Sequence, residues 1–128
     1  MPQSPLNYNT KNQSGALVPA QADASGISEL VTTGGLKSAL NVTAAAVIKA
    51  TAGRCVRIVV IAPGSAGSLT LNDCATTGAA TTANEIYTIG YAALSVGQVI
   101  NLDWPCATGV VVSAVPSAGS PQFVISYT

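Results

Sequence analysis

Seven short runs of β-branched residues, each bounded by Gly, Pro, Asn, Asp or Ser, dominate the chain from residue 41 onward. They are Val47–Ala50, Cys55–Ile61, Ser68–Asn72, Glu85–Ile89, Gln98–Leu102, Val110–Ser113 and Gln122–Tyr127. Valine, isoleucine and threonine suit a pleated, half-buried surface, and runs of four to seven residues are too short for a helix. The intervening segments are chemically explicit turns: Ala52-Gly53, Pro63-Gly64-Ser65-Ala66-Gly67, Asn72-Asp73, Thr77-Gly78, Thr108-Gly109 and Pro116 to Pro121. Glycine there supplies positive φ and proline fixes φ near −65°, so these positions reverse the chain. Seven strands at this spacing give an all-β fold, an antiparallel β-sandwich or jelly-roll-like body. The Ala/Thr-rich stretch 75–84 has no charge and no large side chain, and reads as a loop packed closely against backbone.

Residues 1–40 have a different texture. They are rich in Gln, Asn, Ser, Gly and Pro and sustain neither a two-residue nor a 3.6-residue period. This segment reads as an extended N-terminal arm preceding a body at 41–128. Leu6, Tyr8, Leu17, Val18, Leu36 and Leu40 are too dispersed to form a core and serve as apolar anchors for contact with a neighbouring surface.

Only 8% of the 128 residues are charged, five basic and five acidic, and the formal net charge is zero. Nucleic-acid binding draws its affinity from clustered Lys and Arg on phosphates, and five scattered cations provide no such footprint. A neutral, charge-poor chain has no long-range repulsion to keep copies apart, so homo-oligomerisation is expected. The run Arg54–Ile61 strengthens this. Strict alternation puts Val56, Ile58 and Val60 on one face and Cys55, Arg57, Val59 and Ile61 on the other, leaving both faces largely apolar. A second copy is the economical cover for the outer one. No run approaches the ~18 apolar residues of a membrane span, and the first residues lack the basic and apolar regions of a secretory signal, so a soluble protein folded in cytoplasm is expected.

The side chains offer little chemistry. Histidine is absent, which removes the commonest general acid/base and the Ser–His and Cys–His nucleophile pairs. Cys55, Cys74 and Cys106 match no zinc or redox spacing and read as buried small hydrophobes. Asp73 reads as a turn-capping carboxylate, and Glu85 and Asp103 as strand-end groups able to pair with Arg54 and Arg57. The glycine-rich segments Gly34–Ser38 and Pro63–Ser68 lack the order of a phosphate loop. No enzyme, cofactor or metal is expected. Trp104, beside Pro105 where a strand should end, is a candidate subunit contact, a core residue or a stacking platform.

Taken in order, several motifs resemble those of small virion proteins of tailed bacteriophages, of the capsid decoration, cement or head-fibre type. They are Ala52-Gly53-Arg54-Cys55-Val56-Arg57-Ile58-Val59-Val60, Ala66 to Cys74, Ala83-Asn84-Glu85-Ile86, Leu102-Asp103-Trp104-Pro105-Cys106 with Thr108 to Val112, and Gln122 to Tyr127. The resemblance covers about two thirds of the chain and none of the arm. It implies a non-enzymatic structural protein, made in the host bacterial cytoplasm, that sits on the virion's capsid surface as a homotrimer with the major capsid protein as partner. The other reading is a fibre-tip or adhesin module whose loops around Tyr87, Tyr91 and Trp104 recognise a host surface glycan or protein.

Overall fold

The computed structural model describes residues 36–128. They form an all-β sandwich of two four-stranded antiparallel sheets. The strands are β1 (Lys37–Val42), β2 (Ala46–Lys49), β3 (Gly53–Ala62), β4 (Ser68–Asn72), β5 (Glu85–Gly90), β6 (Val99–Cys106), β7 (Val110–Ala114) and β8 (Gln122–Tyr127). The first sheet has the order β1-β8-β3-β6 and the second β2-β7-β4-β5. Only β4 and β5 are both consecutive in sequence and adjacent in a sheet. Every other connection among the described residues passes from one sheet to the other.

All seven runs expected from the sequence are strands, and β1 is an eighth. The compact unit therefore begins at Leu36, and Lys37–Leu40, assigned above to the arm, belong to the body. Lys, Ser, Ala and Leu in sequence include no β-branched residue and carry no strand signature. What fixes them is β8, against which Lys37, Ser38 and Ala39 pair with Tyr127, Ser126 and Ile125. A second difference lies at β6, which continues through Trp104 and Pro105 to Cys106 rather than ending at Leu102. Pro105 lies opposite Arg54 on a strand at the end of the sheet, where a missing N–H need not interrupt a ladder.

The core lies between the sheets. Ile58, Val60, Phe123 and Ile125 of the first sheet meet Leu69, Leu71, Val110 and Val112 of the second, all fully buried. Cys55, Cys74 and Cys106 are buried free thiols, as their apolar character requires. Cys55, however, sits inside with Ile58 and not outside with Arg57. The pairing of β3 with both neighbours shifts register between Cys55 and Arg57, so a bulge at Val56 reverses the alternation there.

Candidate functional site: an uncovered apolar sheet face

Beyond the bulge, β3 alternates regularly, with Ile58 and Val60 inward and Val59 and Ile61 on the outer face. Val59 pairs directly with Val124 on β8 and with Val99 on β6. Three valines thus form a continuous row across three strands, on the side away from the core. Val99 is 51% exposed, Ile61 is 44% exposed, and Val59 and Val124 are half-buried. Leu40, one residue past the Ala39–Ile125 pair on β1, is 71% exposed. Next to the row, Arg57 pairs with Asn101 and Ser126, and the Arg54–Asp103 pair lies further along β3 and β6. Covering each half-exposed valine would contribute roughly 1 kcal/mol.

The outer face of the second sheet is built differently. Its outward positions include Thr70, Thr88, Glu85 and Ser113, and the Thr88 hydroxyl lies 2.9 Å from that of Thr70. The loop between β4 and β5 folds back over part of this face, with its Thr77–Ala79 turn against β7. Val111 and Asn72, which pair across β7 and β4, are fully buried. Asn72 organises the loop: its Nδ2 donates to the carbonyl of Thr81 at 2.8 Å and to Oδ1 of Asn84 at 2.7 Å. Asn84 in turn accepts from the Thr81 N–H and donates to the Ala79 carbonyl. The stretch 75–84 is a loop, as expected, but it is mostly exposed and open around Gly78 rather than packed closely against backbone, and an open hydroxyl-lined depression of about 390 Å³ lies beside it. One sheet is thus shielded by its own loop and by polar groups. The other presents exposed valine, isoleucine and leucine beside Arg57, Asn101 and Ser126, although Val47 on the second sheet is as exposed as Ile61.

The end of the sandwich that carries the β4–β5 and β6–β7 connections is held by charge. Both Asp73 carboxylate oxygens accept backbone N–H bonds, from Ala107 at 2.8 Å, Thr108 at 2.7 Å and Gly109 at 3.1 Å. Desolvation alone would push the Asp73 pKa up. The three donors outweigh it and hold the carboxyl below the ordinary aspartate range. Asp73 is a capping residue, as expected, although the turn it caps lies 34 to 36 residues further along the chain. Arg54 Nη1 donates to the Asp103 carbonyl at 2.7 Å and to its carboxylate at 3.1 Å. This is one of the pairings the sequence suggested.

The reactive groups are quenched by their settings. Burial pushes the Cys55 thiol up to about 12, with the nearby Cys106 adding to the shift. Burial and then the Asp73 charge also raise Cys106, partly offset by the Cys55 backbone N–H. Both stay protonated at neutral pH and so hold back the thiolate that nucleophilic or metal-binding chemistry needs. Among the described residues no three His, Cys, Asp or Glu side chains converge as metal ligands, and no helix is long and apolar enough to cross a membrane.

Of the contact residues named from the sequence, Leu36, Leu40 and Trp104 are all more than half exposed. Leu6, Tyr8, Leu17 and Val18 lie outside the described residues. Leu40 adjoins the valine row, whereas Trp104, on β6 opposite Cys55, stands toward the end of the sandwich held by Asp73. Tyr91 follows β5 at the opposite end, where its N–H donates to the Gly67 carbonyl, and Tyr87 packs against the core. The three aromatics grouped in the adhesin reading are therefore not assembled into one platform. Sequence reasoning missed Val99 and Val124 as face residues. Their signal was the outward parity of Val59, carried across the register to both neighbours. Compared with protein-family models, curated proteins and solved structures, the chain matches none.

Proposed function

We propose that the protein is a non-enzymatic virion structural protein of the capsid decoration type, which assembles as a homotrimer and binds the assembled head shell of a tailed bacteriophage. The observation that carries this reading is the row Val99–Val59–Val124 with Leu40 and Ile61, left uncovered among the described residues, on a chain of zero net charge. An antiparallel sheet left open to water normally carries polar side chains on that face. This one carries a row of aliphatic groups beside Arg57, Asn101 and Ser126, and further copies of the chain are the proposed cover of that row. The threefold number and the major capsid protein as partner come from the family resemblance, and residues 1–35 are the segment proposed to reach the shell.

The mechanism is mass action. A protein that binds only the finished shell stabilises it by RT ln(1 + [L]/Kd), about 2.7 kcal/mol per site at a hundred times Kd, and a trimer touching several shell subunits gains further through effective concentration. An electron-microscopy map of the phage particles that carry this chain tests the reading. The expected result is density for the sandwich in threefold clusters on the outer head surface, over the junctions of major capsid subunits. The same density at a tail or fibre tip contradicts it.

A further inference from the structure

Each sheet of an open sandwich has two edge strands with unpaired backbone groups, and folded proteins blunt such edges with bulges, prolines, lysines or brevity. Three of the four edges here are treated in that way. β1 has a register shift around Asn41, whose φ is 56°, and carries Lys37. β6 has Asp103 at φ 47°, Pro105 and a shift in its pairing with β3. β2 is four residues long, shifts register and ends on Lys49. β5 stands apart. Its one interruption, a register shift against β4 at Ile86 beside Glu85, lies at its start, and the stretch Tyr87–Gly90 that follows has no charge, no proline and no positive φ and pairs with β4 in unbroken register.

We infer that β5 is a self-association edge, where two copies pair antiparallel about a two-fold axis at Thr88 and join their second sheets into one of eight strands. The sequence of β5 is self-complementary in that register. Tyr87 and Ile89 pair with the fully buried Leu71 and Leu69, pack against the core and are themselves only half covered. With Thr88 on the axis, Tyr87 of each copy lies directly opposite the partner's Ile89, an aromatic–β-branched pair of the kind that stabilises antiparallel sheets. On the outer face the Thr70–Thr88 hydroxyl contact continues across the axis as a four-threonine row. The two Glu85 carboxylates fall about 20 Å apart, six residues of strand rise, so like charges do not meet. Placing Tyr87 on the axis instead sets Glu85 against the partner's Ile89. The contact uses the second sheet and leaves the valine row of the first free, so it stands whether or not the protein coats a shell.

The full chain carrying Thr88→Cys tests this register directly, because cysteines directly opposite on paired strands lie within disulfide reach and the three native cysteines are buried. Under mild oxidation T88C is expected to form a covalent dimer as the main species on a non-reducing gel. G78C, on an exposed turn with open space around it, serves as the accessible-thiol control. A T88C yield no greater than that of G78C overturns the inference. Thr88→Lys sets like charges opposite each other on the axis and is expected to weaken the pairing by about tenfold. The concentration at which the particle mass doubles should rise about tenfold, so that near the midpoint of the natural chain T88K shows mainly the half-mass species. A midpoint concentration unchanged in T88K likewise overturns the inference.

Discussion

Replacing Gly109 by alanine is expected to cost about 3 kcal/mol or more, enough to shift the melting temperature of a body this size by more than 10 °C. A Cβ at this position would fall against the carbonyl oxygen of Cys74 and within 2.6 Å of that of Lys49. Both obstacles are backbone, so no side chain can rotate away. The glycine is required by close approach rather than by handedness: it stands in the β6–β7 turn where the end of β2 and the residue following Asp73 converge on one point. Relief requires moving the turn off Asp73 or parting β2 from β7, and either change breaks hydrogen bonds. Thermal unfolding followed by circular dichroism checks this. A G109A variant melting within a few degrees of the natural chain would show that the turn gives way at little cost.

The second large effect is at Asp73. Asp73→Ala removes three acceptor contacts at once and leaves the amides of Ala107, Thr108 and Gly109 without their partner, an expected loss of about 2–4 kcal/mol. The effect depends on pH with a definite sign. The folded-state pKa is depressed, so the charged form's contribution is complete above the ordinary aspartate value of 3.8 and is lost as pH falls through the lower folded value. The stability gap between the natural chain and D73A should therefore be constant from neutral pH down to about 4 and narrow below it. Asp73→Asn should recover part of the loss, because its Oδ1 still accepts while its Nδ2 confronts an N–H. Urea unfolding across pH measures all three chains, and a gap that widens on acidification would contradict the assignment.

The sandwich was legible because its strands are marked by β-branched runs and its turns by Gly and Pro, both local signals. What escaped was set by pairing across the fold. Lys37–Val42 becomes a strand through β8 and not through its own composition. The bulge at Val56 has no sequence signature, since every residue from Cys55 to Ile61 except Arg57 is apolar enough for either side. Strict alternation consequently put Cys55 on the wrong face, yet it put Val59 and Ile61 on the right one, because the bulge comes before them. Asp73 shows the same division. An Asx side chain after Asn72 announces a capping role, but which amides it caps depends on β4 and β6 ending side by side, a fact of topology. The Arg54–Asp103 pair was accessible as one of several charge matches. The orientation of β5 and β6 separates Tyr91 from Trp104, and that no local pattern records.

The central claim is that the Val59 row is covered in the working protein by other copies of the chain. Sedimentation velocity of the T88K chain at micromolar concentration, with edge pairing weakened, tests it most directly. The expected result is a species of about three times the 12.7 kDa chain mass, which Val59→Lys with Val99→Lys reduces to a single folded chain. A T88K protein that sediments at 12.7 kDa while its valines remain intact would contradict the claim.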